Sequence, residues 1–215
     1  NEYRYKQTPF AQWRELYLAG KLNAAQEQFF KARPAETLYD LSSDPDEVKN
    51  LASDPAHQKT LLELRALLQK RLKGMPDLSF YPEPVFLKTA TDNPVAFGQK
   101  HKSEIAKLIE TADLSLKSFE EAKERIATAL DSKNPWERYW GLIVCSSFGK
   151  QAAPFYEQAK KLAADDAEPL VRTRAAEFLG LSGQQDPRPV LSEVLNATEN
   201  HILANLILNT VVVLQ

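Results

Sequence analysis

Two helix starts and two helix stops recur at one fixed interval, and that interval leaves few folds open. Asn134-Pro135-Trp136-Glu137-Arg138 and Glu168-Pro169-Leu170-Val171-Arg172 each place proline at a first helical position, where its missing N–H costs nothing. Pro135 and Pro169 are 34 positions apart, and so are Gly149 and Gly183, which close the two helices. Arg138 and Arg172 match at the same offset, as do Gly141 and Ala175. A second helix lies between the two, with Phe155, Ala159 and Leu162 on one side. A fainter third unit starts at Asp186-Pro187 and Pro189 and carries Val190, Leu191, Val194 and Leu195; a last helix opens at Thr198-Glu199 and runs through Ile202 and Leu206. A period in the thirties built from helix pairs predicts an α-solenoid, in which each pair buries a face against its neighbour. The scarcity of glycine (7) beside frequent proline (13) fits many sharply started helices and few strands.

Upstream of the repeat the punctuation is as clear. Thr8-Pro9 opens a helix with Phe10, Trp13 and Leu16, ending at Gly20, and Asn23 with Gln26 forms a capping box for a second, short helix ending near Phe29-Phe30. After Pro34, residues 36–41 are expected to form a strand, with Tyr39 and Leu41 on its more apolar face. Asp44-Pro45-Asp46-Glu47 predicts another capping box and a helical turn through Val48 and Leu51. Asp54-Pro55 starts a longer helix with Leu61, Leu64, Leu68 and Leu72 on one face, ended by Gly74 and Pro76. Residues 76–100 are expected to be a proline-rich extended strap lying along a protein surface, because Pro76, Pro82 and Pro84 forbid a helix there. From about Ser103 onward every segment has helical spacing, and Ser118 with Glu121 caps one of these helices.

Bulk properties exclude several classes. The 215 residues carry 27 Lys+Arg against 29 Asp+Glu, a net charge of −2 without the basic excess that nucleic-acid binding requires. A single cysteine, Cys145, rules out an internal disulfide and a cysteine-rich zinc site, and its apolar neighbours Leu142, Ile143 and Val144 predict a buried structural thiol. The apolar run at 202–214 is interrupted by Asn205, Asn209 and Thr210 and is too short to span a bilayer. The polar-aromatic opening Asn1-Glu2-Tyr3-Arg4-Tyr5 and the apolar close Val211 to Gln215 are expected of a piece cut from a longer protein.

Two resemblances follow from these residues. The Pro-x-x-Arg helix start with a small residue midway resembles HEAT repeats. The run from Pro34 to Ala52, with Glu36-Thr37-Leu38-Tyr39-Asp40-Leu41 followed by Asp44-Pro45-Asp46-Glu47-Val48-Lys49-Asn50-Leu51-Ala52, resembles the closing segment of type I, formylglycine-dependent sulfatases. Trp13-Arg14-Glu15-Leu16-Tyr17 and the stretch from Gly20 to Phe30 are similar to the heparan N-sulfatase-like branch. The fold expected is mainly α: residues 1–75 as the end of a sulfatase α+β C-terminal subdomain with one or few strands, 76–100 as the strap, and 101–215 as a solenoid of HEAT-like helix pairs. The resemblance implies a parent enzyme that hydrolyses sulfate groups on sulfated carbohydrate, periplasmic or secreted, with calcium and formylglycine in a catalytic domain upstream of Asn1. It implies contact with that domain, and with sulfated polysaccharide as a further partner.

No residue of this chain matches the family's catalytic pattern. Cys145 is followed by Ser146-Ser147-Phe148-Gly149, which lacks the Pro/Ala and Arg of a formylglycine motif, so the chain alone is expected to be inactive. Catalytic, cofactor-binding and metal residues are therefore expected to be absent; His57, His101 and His201 share no ligand spacing, and Asp165-Asp166 sits at a helix end as a solvated or capping pair. The candidates that remain are Asp77, Tyr81 and Glu83, polar groups on the strap able to rim a substrate cleft, and Arg138 and Arg172, whose guanidinium groups suit either an oxyanion or a neighbouring repeat. Trp136, Tyr139 and Trp140 suit either sugar stacking or the core between repeats, and Asn196-Ala197-Thr198 is a glycosylation sequon. The rival reading is a non-enzymatic HEAT-repeat scaffold binding another protein.

Overall fold

The computed structural model describes residues 5–214; the opening Asn1 to Arg4 and the closing Gln215 lie outside the described residues. The chain forms two compact units, the first running through Arg65 and the second beginning at Ala66. The second is mainly helical, the first holds helices on either side of an irregular stretch, and no strand occurs among the described residues.

In the first unit, α1 (Thr8–Leu18) and α2 (Ala24–Glu27) are joined by a turn at Gly20, which adopts φ +64°. The Asn23/Gln26 capping box forms in both directions, each side chain accepting the other residue's N–H at 3.0 Å. Phe10, Trp13 and Tyr17 recur at i, i+3 and i+7 of α1 and therefore share one face. Trp13 stacks on Phe29 (centroids 4.7 Å apart) and Tyr17 on Phe30 (4.5 Å), so the two helices are held by aromatic pairs. Leu16, expected to belong to this face, points to solvent instead.

The expected strand at 36–41 is an extended segment without a partner strand. Its main-chain pairing is with the loop that follows: the Leu38 N–H donates to Asn50 Oδ1 (3.0 Å) and the Leu51 N–H to the Leu38 carbonyl (2.8 Å). A strand exists only through a ladder, and a single such rung does not make one. Leu41, assigned to the apolar face, is exposed. The expected helical turn after Asp44 is also absent, since Glu47 takes φ +54° and breaks any helical run. The Asp44 carboxylate collects the N–H groups of Val48 (3.1 Å) and Lys49 (2.8 Å) instead. Asp40 accepts both hydroxyls of Ser42 and Ser43, which holds its carboxyl below the ordinary range.

Asp54 caps a short 3₁₀ turn and then α3 (Gln58–Gly74), as its Asp-Pro start predicts. The apolar face of α3 is only partly covered. Leu61 is buried, but Leu64 and Leu68 are 49% and 56% exposed. Buried apolar side chains among the described residues of the first unit are limited to Leu51 and Leu61, a thin core for its length.

The second unit is built on helices in two rows. Here α4 (Glu83–Thr89), α5 (Pro94–Lys100), α6 (Lys102–Ala112), α7 (Phe119–Leu130), α8 (Pro135–Phe148), α9 (Tyr156–Asp165), α10 (Pro169–Leu181), α11 (Arg188–Asn196) and α12 (His201–Val213) follow in order. α6, α8, α10 and α12 adjoin in succession, while α7, α9 and α11 each pack on the helix that follows. The two matched helices, α8 and α10, lie side by side; each begins with an N-cap side chain taking the N–H two residues on, Asn134 from Trp136 and Glu168 from Leu170. Each is followed by a glycine at positive φ, Gly149 (+56°) and Gly183 (+68°). Phe178, Leu142, Leu170 and Ile126 are among the fully buried side chains between the rows. Cys145 lies there too, fully buried.

Residues 76–100 are not an extended strap. A 3₁₀ turn at 78–80 leads into α4 and then α5. Pro84 and Pro94 each sit in the first turn of their helix, where proline's missing N–H has no intrahelical partner to lose. The segment lies across the even-numbered row: the 78–80 turn packs on α6, α4 packs on α12, and Trp140 Nε1 of α8 donates to the Phe80 carbonyl at 2.8 Å.

Candidate functional site

The three strap residues singled out from the sequence all border one groove of about 510 Å³ in the second unit. Its walls also include Phe86 of α4, Tyr139 of α8 and Leu206 of α12, positions far apart in sequence that only the packing of α4 across the row brings together. Asp77 caps the 78–80 turn, accepting the Ser79 N–H at 2.9 Å. Glu83 is exposed at the start of α4, and its carboxylate makes no hydrogen bond or ion pair within the described residues.

Tyr81 plays a different part. It is 5% exposed and packs against Ile105, Leu108 and Ile109. Its hydroxyl is buried without a hydrogen-bond partner, and burial, together with the Glu104 carboxylate beside it, pushes the phenol above its ordinary range. Aromatic walls and two acceptor carboxylates suit neutral sugar hydroxyls; the same carboxylates repel a sulfate.

The two arginines are committed within the fold. Arg138 grips Asp166 side-on, Nε to Oδ2 at 2.7 Å and Nη2 to Oδ1 at 2.8 Å, and gives its remaining Nη1 to the Ser132 carbonyl at 2.7 Å. Asp166 is thus neither solvated nor only a cap: its side chain is 3% exposed, and it also accepts the Glu168 N–H. Arg172, at the matching position, donates to the Ala163 carbonyl (2.9 Å) and pairs with Glu193 (2.9 Å). Both guanidinium groups tie an even-numbered helix to the α9 side of the array, which occupies the fork an oxyanion would need.

Of the aromatic trio on α8, Trp136 and Trp140 are part of the packing between helices, and Tyr139 is buried with the Arg174 guanidinium 5.3 Å from its ring centre. His57 pairs with Asp54 (3.1 Å) and His101 with Glu104 (3.3 Å), each on its own turn of chain. Among the described residues no group of three or more His, Cys, Asp and Glu converges to hold a metal ion. Cys145 is sealed in the core, with its thiol pushed up to about 12 by burial. Asn196 of the sequon is exposed at the end of α11.

A second pocket was not anticipated from the sequence. It lies in the first unit, has a volume of about 610 Å³, and is bordered by residues between Gln28 and Asn50, including Phe29, Arg33, Tyr39 and Glu47. The signal available for it was the irregular stretch 31–50, where polar groups have no ladder to satisfy them.

No family model matches the chain, and no solved structure matches it. One curated relative is similar: an ulvan-active sulfatase of Formosa agariphila, 40% identical over 83 residues. Those residues are 38% of this chain and 14% of the relative, so the chain spans only a small part of the sulfatase it matches.

Proposed function

We propose that this chain is the C-terminal portion of a sulfatase that removes sulfate groups from a sulfated carbohydrate, exported to the periplasm or beyond the cell. The 40% identity over 83 residues with an ulvan-active sulfatase carries the reading, beside the resemblance of the Pro34–Ala52 run to the close of type I sulfatases. The resemblance puts the family's formylglycine and calcium in a catalytic domain upstream of Asn1, and the sequence Cys145-Ser146-Ser147-Phe148-Gly149, which is no formylglycine motif, supports that reading. Ulvan, named for the relative, is the first substrate to try. The thin core of the first unit and the exposed leucines of α3 suit a segment completed by further protein.

On this reading the second unit is a HEAT-like array whose role is to stabilise the enzyme or to bind substrate or a partner. The 34-residue match between α8 and α10, with capped Pro starts and left-handed glycine stops, supports that assignment. No helix among the described residues is long and apolar enough to cross a membrane.

The test is made on the whole gene product, expressed in a host that matures formylglycine. Sulfate release from ulvan or another sulfated polysaccharide, abolished when the upstream formylglycine precursor is changed to alanine, is the expected result. The 215-residue chain alone is expected to release none. A gene without a Cys/Ser-x-Pro/Ala-x-Arg motif upstream, or a whole product inert toward sulfated polysaccharides, overturns the proposal and leaves the protein-binding scaffold.

A further inference from the structure

We infer that the pocket between Gln28 and Asn50 of the first unit is a subsite for a sugar residue bearing an oxyanion. The inference rests on the sulfatase reading for its substrate class and on the geometry of the pocket for its place.

The pocket is about 610 Å³, the size of one or two sugar rings rather than of a folded partner. Two of its walls are aromatic. Phe29 is fixed by stacking on Trp13 at 4.7 Å, and Tyr39 is half-buried on the extended segment. Such rings offer the flat apolar surface on which the C–H face of a pyranose lies.

Hydrogen-bonding capacity surrounds these rings. The Asn50 side chain spends its Oδ1 on the N–H groups of Leu38 and Ala52, both at 3.0 Å, which anchors the amide and leaves its Nδ2 donors unspent. The Thr37 hydroxyl makes no hydrogen bond within the described residues. Most of the charge on the walls is already matched: Glu36 is held side-on by Arg65, and Lys31 by Glu27 at 2.6 Å. Two charged side chains of the lining have no such match. Arg33 makes no hydrogen bond or ion pair within the described residues, and neither does the Glu47 carboxylate.

An unspent guanidinium at a pocket wall presents a planar fork that fits a sulfate ester or a uronate carboxylate two oxygens at a time. Glu47, an acceptor, takes a sugar hydroxyl. Its place on the wall is set by the backbone, since its φ of +54° is imposed by the Asp44 turn whose carboxylate gathers the next two N–H groups. Ring walls, one free cation fork and one free acceptor together describe an anionic sugar better than a peptide or a nucleobase.

Binding is measured by titration calorimetry on the 215-residue chain with a panel of sulfated, uronate-bearing oligosaccharides, each also supplied desulfated and carboxyl-reduced. At least one native member is expected to bind, and removal of one of the two anions is expected to weaken it and so identify the group that sits on Arg33. Arg33→Ala is expected to weaken binding about tenfold, the size of one charged hydrogen-bonded contact. Arg33→Lys restores it only in part, because the point charge lacks the fork. Arg33 is exposed and without a partner, so an unchanged circular dichroism spectrum is expected for both variants. Absence of binding across the panel, or equal affinity in Arg33→Ala, overturns the subsite. If the whole gene product desulfates a polysaccharide while Arg33→Ala leaves its KM unchanged, the sulfatase reading stands and the subsite falls. Binding that depends on Arg33 in a whole product without sulfatase activity does the reverse.

Discussion

Arg138 and Asp166 meet side-on across the turn between α9 and α10, with both oxygens of the carboxylate engaged and the third guanidinium nitrogen spent on the Ser132 carbonyl. The pair joins α8 to the loop that starts α10, so an arginine of the first matched helix holds the entrance of the second. Arg172, 34 positions on, does the corresponding work through Ala163 and Glu193, but with a partner carboxylate that is largely exposed. A charge pair with one member almost wholly buried is costly to break from one side, because the remaining charge has no water to turn to. Arg138→Ala is expected to destabilise the chain by about 3–5 kcal/mol in urea unfolding. Arg172→Ala is expected to lose less, since Glu193 returns to solvent.

Trp140 ties the 77–89 segment to α8 through its 2.8 Å bond to the Phe80 carbonyl and a ring contact with Phe80. Trp140→Phe keeps most of the ring and removes the donor, leaving a carbonyl unpaired. A loss of about 1–3 kcal/mol is expected. Hydrogen exchange should quicken in α4 before it does so in α8; equal exchange in both would show that the bond does not anchor the segment.

Gly180 has no room for a side chain. A Cβ there would sit 2.9 Å from both Leu214 Cδ2 and Pro187 Cγ, and the proline ring cannot turn aside. Gly180→Ala is expected to cost about 1–3 kcal/mol by overpacking. At Gly141 the same change meets Leu130 Cδ2 at 3.1 Å, the end of a flexible side chain, and the matching repeat position already holds Ala175. Gly141→Ala should therefore be the milder of the two when their melting curves are compared.

Burial raises the Cys145 thiol from an ordinary value of 9.0 to about 12. The folded state then holds its proton more tightly than the unfolded state. Its contribution to stability is complete below about pH 9 and is lost as pH rises from there toward 12. At pH 8 the thiol is expected to resist a disulfide reagent in the native chain and to react at once in urea. Rapid native labelling would mean that the α8 core opens locally.

How far the sequence alone reaches depends on the range of the interaction that decides each element. The 34-residue period, the proline starts and the Asn23/Gln26 and Ser118/Glu121 boxes are legible because each is settled within four residues or by a copy of itself. The segment at 36–41 carries a strand pattern that is local while a ladder is not; only the neighbourhood of Leu38 and Asn50 shows that one rung forms. The prolines of 76–100 suggest barriers to a helix, yet Pro84 and Pro94 stand at helix starts, a difference of one turn that composition does not encode. Arg138 offered the same chemistry for a sulfate as for Asp166, and the choice between them rests on a partner 28 residues away. The residues themselves determined that this chain is helical, repeats, and lacks a formylglycine motif. The tertiary structure decided which guanidinium groups are spent, as Arg138 is on Asp166, because an ion pair across distant turns leaves no trace in the order of the residues that make it.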